Sequence, residues 1–199
     1  MVRRHPTPER LGAFSDGVLA IIITIMVLEL RAPHEVSFQA LIHLWPTFLS
    51  YALSYTFVAV FWANHHHMLQ HAERADHMVV WANLFVLFFV SLIPFFTDYL
   101  AENQMAPFAM ALYAGDCFLI TATYMLLQKV IATQFSGNEE LRHMDRGAHR
   151  RNCIALVSYA AAIPAAYIHP AVPILIILGI GCVYFIPDAF SRLTQRAAR

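Results

Sequence analysis

Six long apolar stretches, at about 11–30, 44–63, 78–97, 107–131, 153–168 and 172–187, dominate this chain of 199 residues. A bilayer core about 30 Å thick is crossed by roughly 20 residues of helix. In lipid each backbone N–H and C=O must be paired inside the structure, so a spanning segment is a helix or part of a closed barrel. Continuous apolar runs do not fit barrel strands, which alternate. Composition agrees, with 59% apolar and 13% charged residues, where soluble domains hold about 45–50% and 25%. The expected fold is an all-α integral membrane protein, one domain over 1–199 with six transmembrane helices. The last two, joined by His169-Pro170-Ala171, form an antiparallel hairpin. A four-span alternative requires both of them to be re-entrant.

Orientation is read from Lys and Arg, which collect in cytoplasmic loops. Six spans put the N-terminus, the 64–77 loop, the 128–151 loop and the C-terminus on one side. That side carries every one of the 13 basic residues except Arg31. Both termini are therefore expected in the cytoplasm. Arg3, Arg4 and Arg10 before an apolar run imitate a signal peptide, but no small-x-small cleavage site follows Leu28, so the run reads as a retained helix. Net charge is zero, which leaves no global basic field for nucleic acid. Cys117, Cys153 and Cys182 lie in apolar stretches without metal-like or disulfide-like spacing.

The first apolar run carries the unusual residues. Asp16 lies a turn or two into it, and an intramembrane carboxylate faces a protein interior or a water path unless it is paired. Its partner is expected partly on another helix. The alternative is an N-terminal acid favoured by the macrodipole, with Ser15 as cap. Asp116 is a second intramembrane acid, either neutral or paired with a tyrosine such as Tyr113. The second run ends Trp62-Ala63-Asn64-His65-His66-His67, with His71 and His77 beyond. His67 and His71, four apart, have metal-ligand spacing. No zincin motif, carboxylate cluster or cysteine cluster completes a site, so no metal is expected, and Trp62 reads as an interface residue. Pro94, Pro164 and Pro173 are expected to kink or end helices. The 134–151 stretch reads as a solvated linker with a short helix and a Gly137-Asn138 turn. No phosphate loop or serine-nucleophile motif is present, and no cofactor or enzymatic activity is expected.

A carbonyl filter of the Thr-Val-Gly-Tyr-Gly type is absent from the sequence. Helical spacing in the first run does align Gly17, Ile21, Thr24 and Leu28 on one face. Repeated around a symmetry axis, that face makes rings in which Ile21 and Leu28 constrict by dewetting and Thr24 offers hydroxyls. Read from the residues alone, the same stripe also suits ordinary packing or lipid contact.

Arg10-Leu-Gly-Ala-Phe14-Ser15-Asp16, followed at once by Gly17–Leu30, resembles the signature of the transmembrane protein 175 family of endo-lysosomal potassium channels and their prokaryotic relatives. Trp62-Ala-Asn-His65-His66, Asn83-Leu and Pro94-Phe extend the likeness over the first three spans, and the later spans match in number and placement. The resemblance implies a prokaryotic single-repeat member assembled as a homotetramer in the lipid bilayer of the cell membrane, with the first helix lining the pore and no re-entrant loop. It implies a hydrophobic constriction at Ile21, a polar layer at Thr24, and further pore-facing positions at Ile25 and Leu28. Arg10, Phe14, Ser15, Asp16, Trp62 and His65 become members of a structural polar network. Potassium is the implied permeant ion. A narrow apolar ring favours it over the more tightly hydrated sodium, with rubidium and caesium also passing. Two other readings are a proton-coupled secondary transporter using Asp16 or Asp116 and a histidine-metal membrane enzyme.

Overall fold

The computed structural model describes residues 7–135 and 139–197, without the side chains of Glu140, His143 and residues 185–197. Arg3, Arg4, Gly137, Asn138 and Arg199, and the side chains of Arg192 and Arg196, lie outside the described residues. Among the described residues eight helices follow one another: α1 Pro8–Leu28, α2 Phe38–His43, α3 Trp45–Gln70, α4 His77–Val90, α5 Ile93–Glu102, α6 Pro107–Ala132, α7 Glu139–Ala165 and α8 Ala171–Ala197. Four segments are long and apolar enough to cross a bilayer: α1, α3, α4 with α5, and α6. Within α8 the apolar stretch is shorter, Ala171–Tyr184.

Local chemistry explains the helix ends. α1 starts where Thr7 Oγ1 accepts the Arg10 N–H at 3.4 Å, with Pro8 in the first turn, where its missing N–H costs nothing, and Glu9 beside the positive end of the helix dipole. Asp76 caps α4 by accepting the Val79 N–H at 3.0 Å. The third apolar run, expected to be one helix, is broken at Ser91 and Leu92. Pro94 cannot donate to the Val90 carbonyl, so the chain tightens: Leu92 donates to Phe89 O at 3.0 Å, and the Ser91 hydroxyl to Phe88 O at 2.6 Å.

Two other boundaries differ from expectation. α3 runs on through the histidine cluster to Gln70, so the connection to α4 is much shorter than 64–77. The 139–151 stretch, read as mostly linker, is the first half of α7. Its polarity has a partner. Gln128 on α6 donates through Nε2 to Asp145 Oδ1 at 2.8 Å and accepts from Asn152 Nδ2 at 2.7 Å, while Arg142, Arg146 and Arg150 are exposed. Near the same end of the molecule, Gln134 accepts the Glu73 and Arg74 N–H groups at 2.9 and 3.1 Å and donates to Arg74 O at 3.0 Å. One side chain thus fastens the α3–α4 turn to the end of α6.

The centre of the bundle is α6, which packs on α4, α5, α7 and α8 and is the most buried of the candidate spans. α1 lies at the periphery against α3, α4 and α5. Only one side of it is covered.

Candidate functional site

Buried residues on α1 are Leu11, Ser15, Leu19, Ile22 and Met26, spaced by three and four. That spacing is one helical face. At about 100° per residue, the opposite face carries Arg10, Phe14, Gly17, Ile21, Thr24, Ile25 and Leu28. No other part of the described chain covers it: Ile21 is 59% exposed, Ile25 41% and Leu28 73%, and Arg10, Gly17 and Thr24 are exposed as well. Thr24 donates its hydroxyl hydrogen to Ile21 O at 2.9 Å. The oxygen lone pairs are left for whatever meets this face.

Behind that open face α1 is bonded to two helices through adjacent residues, which leave the axis about 100° apart. Ser15, fully buried, donates to Leu11 O at 2.9 Å and accepts from Asn83 Nδ2 on α4 at 2.9 Å. Asn83 Oδ1 lies 2.7 Å from His65 Nε2 on α3. A carbonyl oxygen only accepts, so the His65 hydrogen sits on Nε2. His65 Nδ1 is buried and has no partner among the described residues, and the ring stacks on Phe61 with centroids 5.3 Å apart. Three helices are thereby joined at one fully buried polar point.

Asp16 is half-exposed and turns the other way. Trp62 Nε1 donates to its Oδ1 at 2.8 Å, and His66 Nδ1 lies 3.5 Å from its Oδ2. Asp16 thus has its partner on another helix, and the N-terminal cap is Thr7 rather than Ser15. Toward the other end of α1, Thr97 on α5 lies 3.9 Å from Met26 Sδ and 2.6 Å from Ser54 Oγ on α3, which lies 2.9 Å from the Tyr113 hydroxyl on α6.

The structure therefore brings together Ser15, Asp16, Trp62 and His65. It leaves Arg10 and Phe14 apart from them. Arg10 is exposed and contributes its backbone N–H to Thr7, and Phe14 is 52% exposed. Both share the open face with Ile21, Thr24, Ile25 and Leu28. Asn83 and His66 belong to the contact set without having been singled out as site residues. A lone amide in the middle of the apolar 78–97 run was the signal for Asn83, since an amide in lipid must find a partner. Tyr113 does not pair with Asp116: its hydroxyl goes to Ser54, and both Asp116 oxygens are buried without a hydrogen-bond partner among the described residues. Other bonds within the histidine cluster are local. His66 meets Gln70 at 2.9 Å, His71 meets His67 O at 2.7 Å, and His77 accepts from Trp81 at 2.8 Å. Among the described residues no three His, Cys, Asp or Glu side chains converge as a metal shell.

Comparison with known proteins agrees with this architecture. Residues 10–94, which run from the first turn of α1 through α2, α3 and α4 to the start of α5, match the family described as endosomal/lysosomal potassium channel TMEM175. The chain is 35% identical over 182 residues to potassium channel HX13_20290 of a Chryseobacterium species, covering 92% of this chain and 94% of that protein. It is 37% identical over 133 residues to potassium channel Cha6605_3372 of Chamaesiphon minutus, covering 62% and 66% respectively. The crystal structure of a lysosomal potassium-selective channel TMEM175 homolog from Chamaesiphon minutus superposes with a TM-score of 0.81 at 28% identity, over 90% of this chain and 97% of that one. A membrane-protein fold, the α1 motif and full-length relatedness converge, and the chain belongs to the TMEM175 family, a family of ion channels and not of enzymes.

Proposed function

We propose that the protein is a potassium-permeable, weakly potassium-selective channel, a homotetramer whose four α1 helices line the ion path. The observation that carries this reading is the division of α1: one face held by three helices of its own chain, the other an uncovered stripe of Ile21, Thr24, Ile25 and Leu28. Around a fourfold axis Ile21 and Leu28 form apolar rings that hold back hydrated ions, in place of a filter of backbone carbonyls. Stripping water costs sodium more than potassium, so a narrow apolar ring discriminates without a strong binding site. Rubidium and caesium pass as well. Thr24, its hydrogen already given to Ile21 O, turns lone pairs to the cation. Ser15, Asp16, Trp62 and His65, with Asn83, hold α1 in position from behind. No resident cofactor takes part.

The topology we propose has six spans with both ends in the cytoplasm of a prokaryotic cell and no re-entrant pore loop; α7 and α8 complete the set. The basic residues support it. The α3–α4 turn with Arg74 and the α6–α7 connection near Arg142 lie at one end, tied by Gln134, and α1 begins beside the end of α3.

A second reading, a proton-coupled transporter, is favoured by one observation, the buried unpartnered carboxylate of Asp116. One experiment separates the two. Protein reconstituted in potassium-loaded liposomes is expected to pass potassium under a potential, with unitary currents in planar bilayers. Ile21→Asn is expected to raise the flux and reduce potassium-over-sodium preference several-fold. Unchanged selectivity in that variant refutes the constriction; saturable flux driven by a proton gradient, without unitary currents, supports the transporter instead.

A further inference from the structure

A narrow cleft of about 60 Å³ runs between α3, α6, α7 and α8, with no α1 residue in its lining. Its walls are apolar and aromatic, with Leu53, Phe57, Ile120 and Ile177 among them. It is elongated: from Leu53 to Asn64 along α3 is about 16 Å at 1.5 Å per residue. Its two amides, Asn64 and Asn152, stand with Tyr184 toward one end, while the hydroxyls of Thr56, Thr121, Tyr124 and Tyr159 are spread along the lining. Asn64 stands about 9 Å from the end of α3, and that helix is longer than a hydrocarbon core about 30 Å thick. The polar end therefore sits close to the boundary between acyl chains and headgroups.

A cation stands next to that end, against the Tyr184 ring that lines it. The Arg151 guanidinium lies over the Tyr184 ring, 5.9 Å from its centroid, and the Tyr184 hydroxyl donates to Asn152. Arg151 Nε is buried and finds no hydrogen-bond partner among the described residues. A buried guanidinium N–H without an acceptor is costly, and its planar fork suits a phosphate. Gly181 widens the passage between α8 and α3: a Cβ there meets only Thr56 Cγ2, at 3.9 Å.

The geometry points to a binding site for an anionic phospholipid, one acyl chain in the cleft and the phosphate on Arg151. A basic pocket between membrane helices is the setting in which such headgroups bind. Only the chain's residence in a membrane is needed; the pore reading is not. A second copy of the chain is a poorer occupant, since the uncovered apolar stripe offered for assembly is on α1.

The test uses the full chain in detergent, with lipid retention counted by native mass spectrometry for dioleoyl phosphatidylglycerol and dioleoyl phosphatidylcholine. One arginine at an anionic membrane surface is worth about fivefold in binding. The wild type is expected to prefer the phosphatidylglycerol by at least that factor, Arg151→Gln to abolish the preference and Arg151→Lys to keep most of it. Gly181→Leu, which fills the passage, is expected to reduce retention of both lipids. Phosphatidylglycerol carrying a diazirine on its acyl chain is expected to label 53–64 and 177–184 in the unmodified protein, a readout that needs no variant to fold. Preference unchanged by Arg151→Gln, labelling confined to other helices, displacement by inorganic phosphate, or a change of oligomeric size in Gly181→Leu each overturns the proposal. No ion flux is measured, so its failure and that of the pore reading are separate results.

Discussion

Asn83 should be the residue whose loss most loosens α1. It is fully buried, and its amide makes two interhelical bonds, to Ser15 Oγ at 2.9 Å and His65 Nε2 at 2.7 Å. Interhelical hydrogen bonds in membrane proteins average about 0.6 kcal/mol and reach about 1.7, so two of them are worth about 1–3 kcal/mol. Asn83→Leu keeps the volume and removes both. Ser15 still donates to Leu11 O and loses only an acceptor role. His65 is worse placed: its Nδ1 already has no partner, so its Nε2–H becomes a second orphan on a buried ring. An orphaned buried donor costs about 1–3 kcal/mol. The expected loss is about 2 kcal/mol, about 30-fold in the unfolding equilibrium. His65→Phe added to Asn83→Leu removes the orphan, and the double variant should recover at least about 1 kcal/mol of the loss. Equilibrium unfolding in mixed micelles measures four stabilities, those of the wild type, Asn83→Leu, His65→Phe and the double variant. Strictly additive costs would show that His65 and Asn83 are not coupled, and the account of how α1 is held would fail.

Gln134→Ala should release the α3–α4 turn without unfolding the bundle. The Glu73 and Arg74 amides lose their shared acceptor, and their hydrogen exchange should accelerate about tenfold or more, as expected for a tie worth about 1.5 kcal/mol; unchanged exchange removes Gln134 from that role. Thiol accessibility tests the open face of α1: in a Cys182→Ser background, Ile21→Cys and Leu28→Cys should react with a water-soluble cationic methanethiosulfonate and lose flux, while Ile22→Cys, on the buried face, should not. Inert thiols at both Ile21 and Leu28 would mean that this face meets lipid.

The first four spans were legible in the sequence because length and apolarity alone settle whether a helix can cross a bilayer. What escaped the sequence has identifiable causes. The break in the third span comes from one missing N–H, at Pro94, and its location depends on which carbonyl that N–H would have served. The first half of α7 resisted reading because the groups that satisfy Asp145 and Asn152 come from Gln128, which sits in the apolar α6. In the site, Asp16 announced itself as a carboxylate needing a partner, and Trp62 was in view through the motif. Arg10 and Phe14 were grouped with it because they are neighbours in the motif. Neighbours along a helix point in different directions, and these two share a direction with Ile21 and Leu28 instead.

That directional fact also explains why Ser and Asp stand next to each other in α1. A peripheral helix in a bilayer has no hydrophobic driving force holding it to the bundle, because lipid is as apolar as its neighbours. Close packing supplies some attraction, and hydrogen bonds between helices supply direction. Bonds on one radius alone would leave α1 free to swing about that contact. Ser15 reaches α4 and Asp16 reaches α3, on radii about 100° apart, and together they fix both the position and the rotation of the helix. Rotation is the quantity that decides which residues Ile21 and Thr24 confront: a turn of about 100° would carry Ile22 and Ile25 into their places. A face that covers only part of the helix can act as a constriction if its helix is held against such a turn, and the adjacent pair behind it supplies that hold.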